Sequence, residues 1–261
     1  MSRGPYPPLP RMARPAPGAA QLGTFVKTAS AQVIEVLAFA QLDFAVVDAE
    51  HAPFDRRDID LMMLASRATG LPLAVRVPNA EPATLLSVLD LGAAGIVVPH
   101  IDTAEQARAV VAHARYRGGL RGFSSSPRSS GYGSASMQAA LAEGDRAMVL
   151  CQIESARAVE ACEAIARVEG VDAVFIGRAD LALSMGFDST AEKAVEQAVD
   201  HVIAAARAAG KAVVMAVGSM AEKERYAARG ADWFVVSSDQ GLLRQAAIAA
   251  FGAPPAEAPP G

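Results

Sequence analysis

The chain has 261 residues, 52% of them hydrophobic, which suits a large α/β domain with a sizeable buried core and excludes global disorder. Its formal charge is −4 with acidic and basic residues interspersed, which argues against a nucleic-acid or anionic-membrane partner. Two cysteines, Cys151 and Cys162, cannot build a disulfide framework and read as small buried hydrophobes. No apolar run reaches the roughly 20 residues of a membrane span, and no secretory h-region opens the chain, so a cytoplasmic enzyme is expected.

In chain order, residues 1–21 are rich in Pro, Ala and Arg without periodicity and are expected to form a flexible tail. Residues 22–251 follow as the folded domain, and 252–261 as a second Pro/Ala tail. Within the domain, near-continuous apolar runs predict strands at Thr24–Lys27, Phe44–Val47, Leu73–Val77, Gly95–Pro99, Met148–Ile153, Ala173–Ile176, Ala212–Val217 and Trp233–Val236. Helical patterns lie between them. Asp55 is placed to cap one that ends at Gly70, and Pro82 suits the first turn of another that stops at Gly92. Eight strands alternating with helices favour a (β/α)8 TIM-type barrel over an open doubly wound sheet, which would want a GxGxxG turn that is missing here. After Pro99 comes a long connection whose stretch Arg121–Gly133 is too patterned for a linker and is expected to be functional.

Barrel enzymes work at the C-terminal ends of their strands, so strands that end in charge are the informative ones. The second runs into Asp48, Glu50 and His51, where a structural loop would carry Gly, Asn or Ser. The third contains Arg76, either paired at the rim or clamping a substrate carboxylate. The fifth ends in Gln152 and Glu154, and the sixth in Gly177, Arg178, Ala179 and Asp180. Asp180 could merely cap a helix, but two carboxylates on neighbouring strand ends repel unless a cation lies between them, which suits a hard divalent metal.

These motifs resemble the HpcH/HpaI class II pyruvate aldolase family: Asp48-Ala-Glu-His51, Arg76-Val-Pro, Leu89-Asp90-Leu-Gly-Ala-Ala-Gly-Ile-Val-Val-Pro99, Gln152-Ile-Glu-Ser and Phe175-Ile-Gly-Arg-Ala-Asp180-Leu. The run Gly230-Ala-Asp-Trp-Phe-Val-Val-Ser-Ser-Asp239 also fits, and the likeness extends from about Gly23 to the last helix in the family's order. The resemblance implies a divalent metal (Mg2+, Mn2+ or Co2+) held by Glu154 and Asp180, with Arg76 steadying the enolate of a pyruvate moiety. It further implies His51 as acid/base, Asp90 as partner of His51, substrate contacts from Gln152 and the backbone of Gly177, Arg178 and Ala179, and support from Asp48 and Glu50. The substrates would be 2-oxo acids and aldehydes, and the assembly a homo-oligomer, a hexamer built as a trimer of dimers, with the C-terminal helix in its packing.

Three further expectations come from the residues themselves. Asp90 falls in the last turn of a helix, at the end of the barrel away from the site, so a pairing with His51 would have to cross between subunits. Arg178, with Arg128 of the long connection, either biases the site toward an acidic substrate group or forms a rim ion pair. Lys27 and Lys211 are not read as standing beside the cluster, which makes a Schiff base the weaker chemistry. Competing readings are a CoA-thioester lyase, an oxaloacetate decarboxylase and a non-catalytic barrel. The first lacks a basic nucleotide groove, the second shows in an oxaloacetate assay, and the third is disfavoured by the intact His51, Arg76, Glu154 and Asp180.

Overall fold

Apolar runs without alternation make parallel strands when both faces are covered, one by the barrel interior and one by helices. A computed structural model describes residues 7–12 and 19–253. In it eight parallel strands close into a barrel in sequence order: β1 (Gln21–Val26), β2 (Phe44–Asp48), β3 (Leu73–Arg76), β4 (Gly95–Val98), β5 (Met148–Ile153), β6 (Ala173–Ile176), β7 (Ala212–Val217) and β8 (Trp233–Ser238). Around them lie α1 (Ala31–Leu37), α2 (Arg56–Thr69), α3 (Pro82–Asp90), α4 (Ala104–Ala114), α5 (Met137–Gly144), α6 (Ala156–Ala166), α7 (Arg178–Ser184), α8 (Lys193–Ala208), α9 (Met220–Ala227) and α10 (Asp239–Phe251). The (β/α)8 barrel is the architecture the sequence implied. Local signals explain the helix limits: Asp55 and Asp58 form a reciprocal capping box on α2, and Gly70 ends it with φ +81.

Side chains on a strand alternate between two faces. Those of Phe25, Phe44, Val46, Ala74, Val97, Leu150, Phe175, Trp233 and Val235 fill the barrel, with the Phe44 and Trp233 rings 5.5 Å apart. Gly23 is required there, because a Cβ would lie 2.7 Å from the Phe44 ring. The opposite faces build the larger core beneath the helices, in which both cysteines are buried. Burial lifts the Cys151 thiol to about 12, so it is inert as a nucleophile. Continuing the inward parity past the strand ends carries Lys27, Asp48, Arg76 and Gln152 into the mouth. The seam between β1 and β8 is held by Asp239, whose carboxylate accepts the backbone N–H groups of Lys27 and Thr28 at 2.8 and 3.0 Å.

Part of the expected N-terminal tail is structured. Gln21 is the first residue of β1, and residues 7–12 lie on the barrel: Leu9 is buried, and Arg11 pairs with Glu143 at 2.6 Å. An apolar side chain and an ion pair suffice to dock this Pro-rich segment, which periodicity could not reveal. Residues 1–6, 13–18 and 254–261 of the two expected tails lie outside the described residues. No helix among the described residues is long and apolar enough to cross a membrane.

Candidate active site

At the C-terminal mouth, Asp48 and Arg76 form a buried clamp. Their strands are in register, Asp48 opposite Arg76, and the carboxylate accepts from Arg76 Nε at 3.0 Å and Nη2 at 2.8 Å. Asp48 is fully buried; desolvation opposes its charge, but hydrogen bonds and charge from Arg76, the His51 N–H and Lys27 hold its carboxyl below the usual carboxylate range. Arg76 also lies 3.3 Å from Glu50 Oε2, with its guanidinium carbon 4.8 Å from the Phe25 ring centre. Burial pushes the Glu50 carboxyl above its usual range; Arg76, His51 and His100 oppose this rise, and Glu154 adds to it. His51 is tied down only through its backbone N–H, 3.2 Å from Asp48, while its ring is half exposed and 3.7 Å from Glu50.

Across the mouth Glu154 is nearly buried. One of its oxygens accepts the His100 backbone N–H at 2.7 Å and lies 2.9 Å from His100 Nδ1, and the other accepts from the Gln152 amide. His100 Nε2 reaches to 3.4 Å from Glu50, so this imidazole spans the two carboxylates. Its backbone stands at φ +58, a conformation uncommon outside glycine. Gly177 makes room for Glu154, since a Cβ there would lie 2.9 Å from the Glu154 Cβ. Asp180 is exposed in the first turn of α7. A cavity of about 280 Å3 unites Arg76, Gln152, Gly177, Arg178, Ala179 and Asp180. A larger recess, about 530 Å3, opens at the opposite face beside Arg207 and Asp232, away from the strand C-termini.

Of the sequence-predicted residues, Asp48, Glu50, His51, Arg76, Gln152, Glu154, Gly177, Arg178, Ala179 and Asp180 all meet here. Others fall elsewhere. Asp90 ends α3 at the far face, and its partner within the chain is the buried Arg121, 2.9 Å away, not His51. The long connection also lies at that far face, because α4 intervenes between Pro99 and residues 115–136 and returns the chain there. Arg128 therefore pairs with Asp60 of α2 and is remote from Arg178. Arg178 forms the rim ion pair: Nη1 is 2.7 Å from Glu222 and 2.9 Å from the Tyr226 hydroxyl, and Nη2 donates to the Ala216 carbonyl. Lys27, read as remote from the cluster, stands 3.2 Å from Asp48, because parity from Phe25 turns it inward; its ammonium is thereby committed. His100 was missed altogether.

The matched family model describes "HpcH/HpaI aldolase/citrate lyase" and spans residues 21–246, from β1 into α10. The chain belongs to that family. It is 37% identical over 228 residues to a 5-keto-4-deoxy-D-glucarate aldolase of Klebsiella pneumoniae, covering 87% of this chain and 89% of that one. It is 40% identical over 234 residues, with the same coverage, to a 4-hydroxy-2-oxovalerate aldolase of Rhodococcus jostii. A crystal structure of an HpcH/HpaI family protein from Burkholderia cenocepacia superimposes with a TM-score of 0.85 at 34% identity, covering 89% of this chain and 93% of that one. This member of the HpcH/HpaI family is an enzyme, a carbon–carbon lyase of the aldolase kind.

Proposed function

We propose that this enzyme reversibly cleaves 4-hydroxy-2-oxo acids to pyruvate, or a related 2-oxo acid, and an aldehyde, with the help of a divalent cation. The carrying observation is the charge of the mouth. Lys27 and Arg76 are matched by Asp48 and Glu50, and Glu222 by Arg178 and Arg225. This leaves Glu154 and Asp180 without a lysine or arginine partner among the described residues, two negative charges that one divalent cation cancels. One buried oxygen there, Gln152 Oε1, also lacks a hydrogen-bond donor, and Glu50 Oε2 is held by ion-pair contact without a well-aligned hydrogen bond. A hard cation suits this all-oxygen donor set.

Glu154 and Asp180 would hold Mg2+, Mn2+ or Co2+, which when bound supplies Lewis-acid stabilisation of negative charge. Arg76, with Nε and Nη2 spent on Asp48, keeps its Nη1 donors for the 2-oxo oxygen, and its fixed charge stabilises the enolate. Gln152 and the Gly177–Ala179 turn bound the same space. The free His51 ring takes the proton of the 4-hydroxyl. That oxygen's electrons form the aldehyde carbonyl as the C3–C4 bond breaks, and the bonding pair remains on the 2-oxo acid as its enolate. Protonation at C3 then gives pyruvate. Lys27, paired with Asp48, is poorly placed to act as a Schiff-base amine.

The test is pyruvate release from a 4-hydroxy-2-oxo acid before and after EDTA. Activity should vanish with chelation and return with Mn2+, Mg2+ or Co2+; turnover unaffected by prolonged chelation would remove the metal from the reading. We further propose a homo-oligomer, a hexamer by family resemblance. Support comes from α10, which buries none of its residues and exposes Leu242, Leu243, Ile248 and Phe251, while Val36 and Phe39 are exposed at α1. In an oligomer, Asp90 reaching a neighbour's His51 would share its carboxylate with Arg121. A fully active monomer by light scattering would refute this arrangement.

A further inference from the structure

The cavity has two ends, and their chemistry differs. At one end Arg76 and Gln152 face the cluster described above. At the other, Ala216, Val217 and Val235 form an apolar wall, and Thr190 and Ser237 add two hydroxyls. With the 2-oxo acid at the first end and the aldehyde oxygen within reach of His51, the second end is the place for the rest of the aldehyde. Among the described residues, the one cation lining that end is Arg178. Its two terminal nitrogens are already engaged, while its Nε is buried without an acceptor. Glu222 lies 2.7 Å from Nη1 and takes the backbone N–H of Gly218 at 2.7 Å, while the Tyr226 hydroxyl and the Ala216 carbonyl occupy further guanidinium positions. The Arg178 guanidinium also lies 4.8 Å from the Tyr226 ring centre, and that ring carries Arg225 and Arg229 at 4.7 Å each, so the ion pair is braced from behind.

An acidic aldehyde would thus meet a neutral ion pair, in a mouth where the bound 2-oxo acid carboxylate has already added a negative charge. Its own carboxylate would have to shed water without gaining a cation, which is costly. A short hydroxylated aldehyde faces no such cost and finds hydroxyl partners in Thr190 and Ser237.

Resting on the aldolase reading, we propose that the acceptor is a short, uncharged, hydroxylated aldehyde, and that Glu222 determines this specificity by neutralising Arg178. The Arg178–Glu222 pair works as a charge filter rather than as an anion receptor.

The test runs in the condensation direction, with pyruvate, Mn2+ and two acceptors of nearly equal size, glycolaldehyde and glyoxylate. For the parent enzyme, kcat/KM should favour glycolaldehyde by about tenfold or more. Glu222→Gln frees the Arg178 charge and should move that ratio toward glyoxylate by about tenfold, through a lower KM for glyoxylate. Should that variant fail to fold, the double substitution Arg178→Met with Glu222→Gln removes the pair without leaving a lone charge, and its ratio should stay within about threefold of the parent. A parent enzyme that prefers glyoxylate overturns the inference and leaves the aldolase reading standing, as does an unchanged ratio in Glu222→Gln or a double variant shifted toward glyoxylate. Absence of condensation with either acceptor, and with simple aldehydes such as acetaldehyde, overturns the aldolase reading itself.

Discussion

Replacing Asp48 by asparagine removes the charge that answers both Arg76 and Lys27. The Lys27 side chain is 30% exposed, so water compensates much of its charge and the buried Arg76 pair dominates the cost. Asp48 is fully buried and the Arg76 side chain 9% exposed. Deleting one partner of a buried pair costs about 3–5 kcal/mol, because the other charge is left without compensation. Two features reduce that figure. Asparagine keeps one acceptor oxygen, and Glu50 already lies 3.3 Å from Arg76 Nε. A loss of about 2–3 kcal/mol remains, which for a domain of this size lowers Tm by about 4–12 °C. Thermal melts at pH 7 read this directly. The pH dependence carries a sign. Asp48 ionises below its ordinary value of 3.8, so its contribution is complete above that value and disappears as pH falls through the lower folded-state pKa. The gap between parent and variant should therefore close in acid. With Arg76 no longer held flat, kcat/KM for aldol cleavage should drop about 100-fold. A variant melting within about 1 °C of the parent at pH 7, with turnover intact, would show that the clamp does not organise the mouth.

Two more substitutions separate chemistry from metal binding. His51→Ala should lower kcat by about 100- to 10,000-fold while Mn2+ affinity by calorimetry stays near the parent's; lost Mn2+ binding would reassign His51 as a ligand. His100→Ala should weaken Mn2+ binding about tenfold, because it removes the imidazole that steadies Glu154, and an unchanged affinity would reduce His100 to a bystander.

Much of the mouth was legible because strand parity survives folding. Phe44, Val46 and Asp48 share one face, as do Ala74 and Arg76, so the cluster follows once the strands are placed. Parity also points Lys27 inward from Phe25, a signal present in the sequence but unused. His100 defeats parity: β4 turns Val97 inward, so the residue three places on should face out, and only the left-handed turn at φ +58 brings it back. Nothing local encodes that turn. The long connection lies at the end of the barrel opposite the site because α4 carries the chain back there, and Thr103 and Gln106 mark that helix in the sequence with the capping-box pattern that opens it. Glu222, the counter-charge of Arg178, is a neighbour only through the barrel and could not be foreseen from residues near Arg178 in the chain.

Asp239 both starts the last helix and grips the amides of Lys27 and Thr28. A helix that cannot pivot without tugging on the end of the first strand is a lever. The same residue therefore ties an exposed helix to the strand end that carries Lys27, whose ammonium lies 3.2 Å from the acid that keeps Arg76 in line.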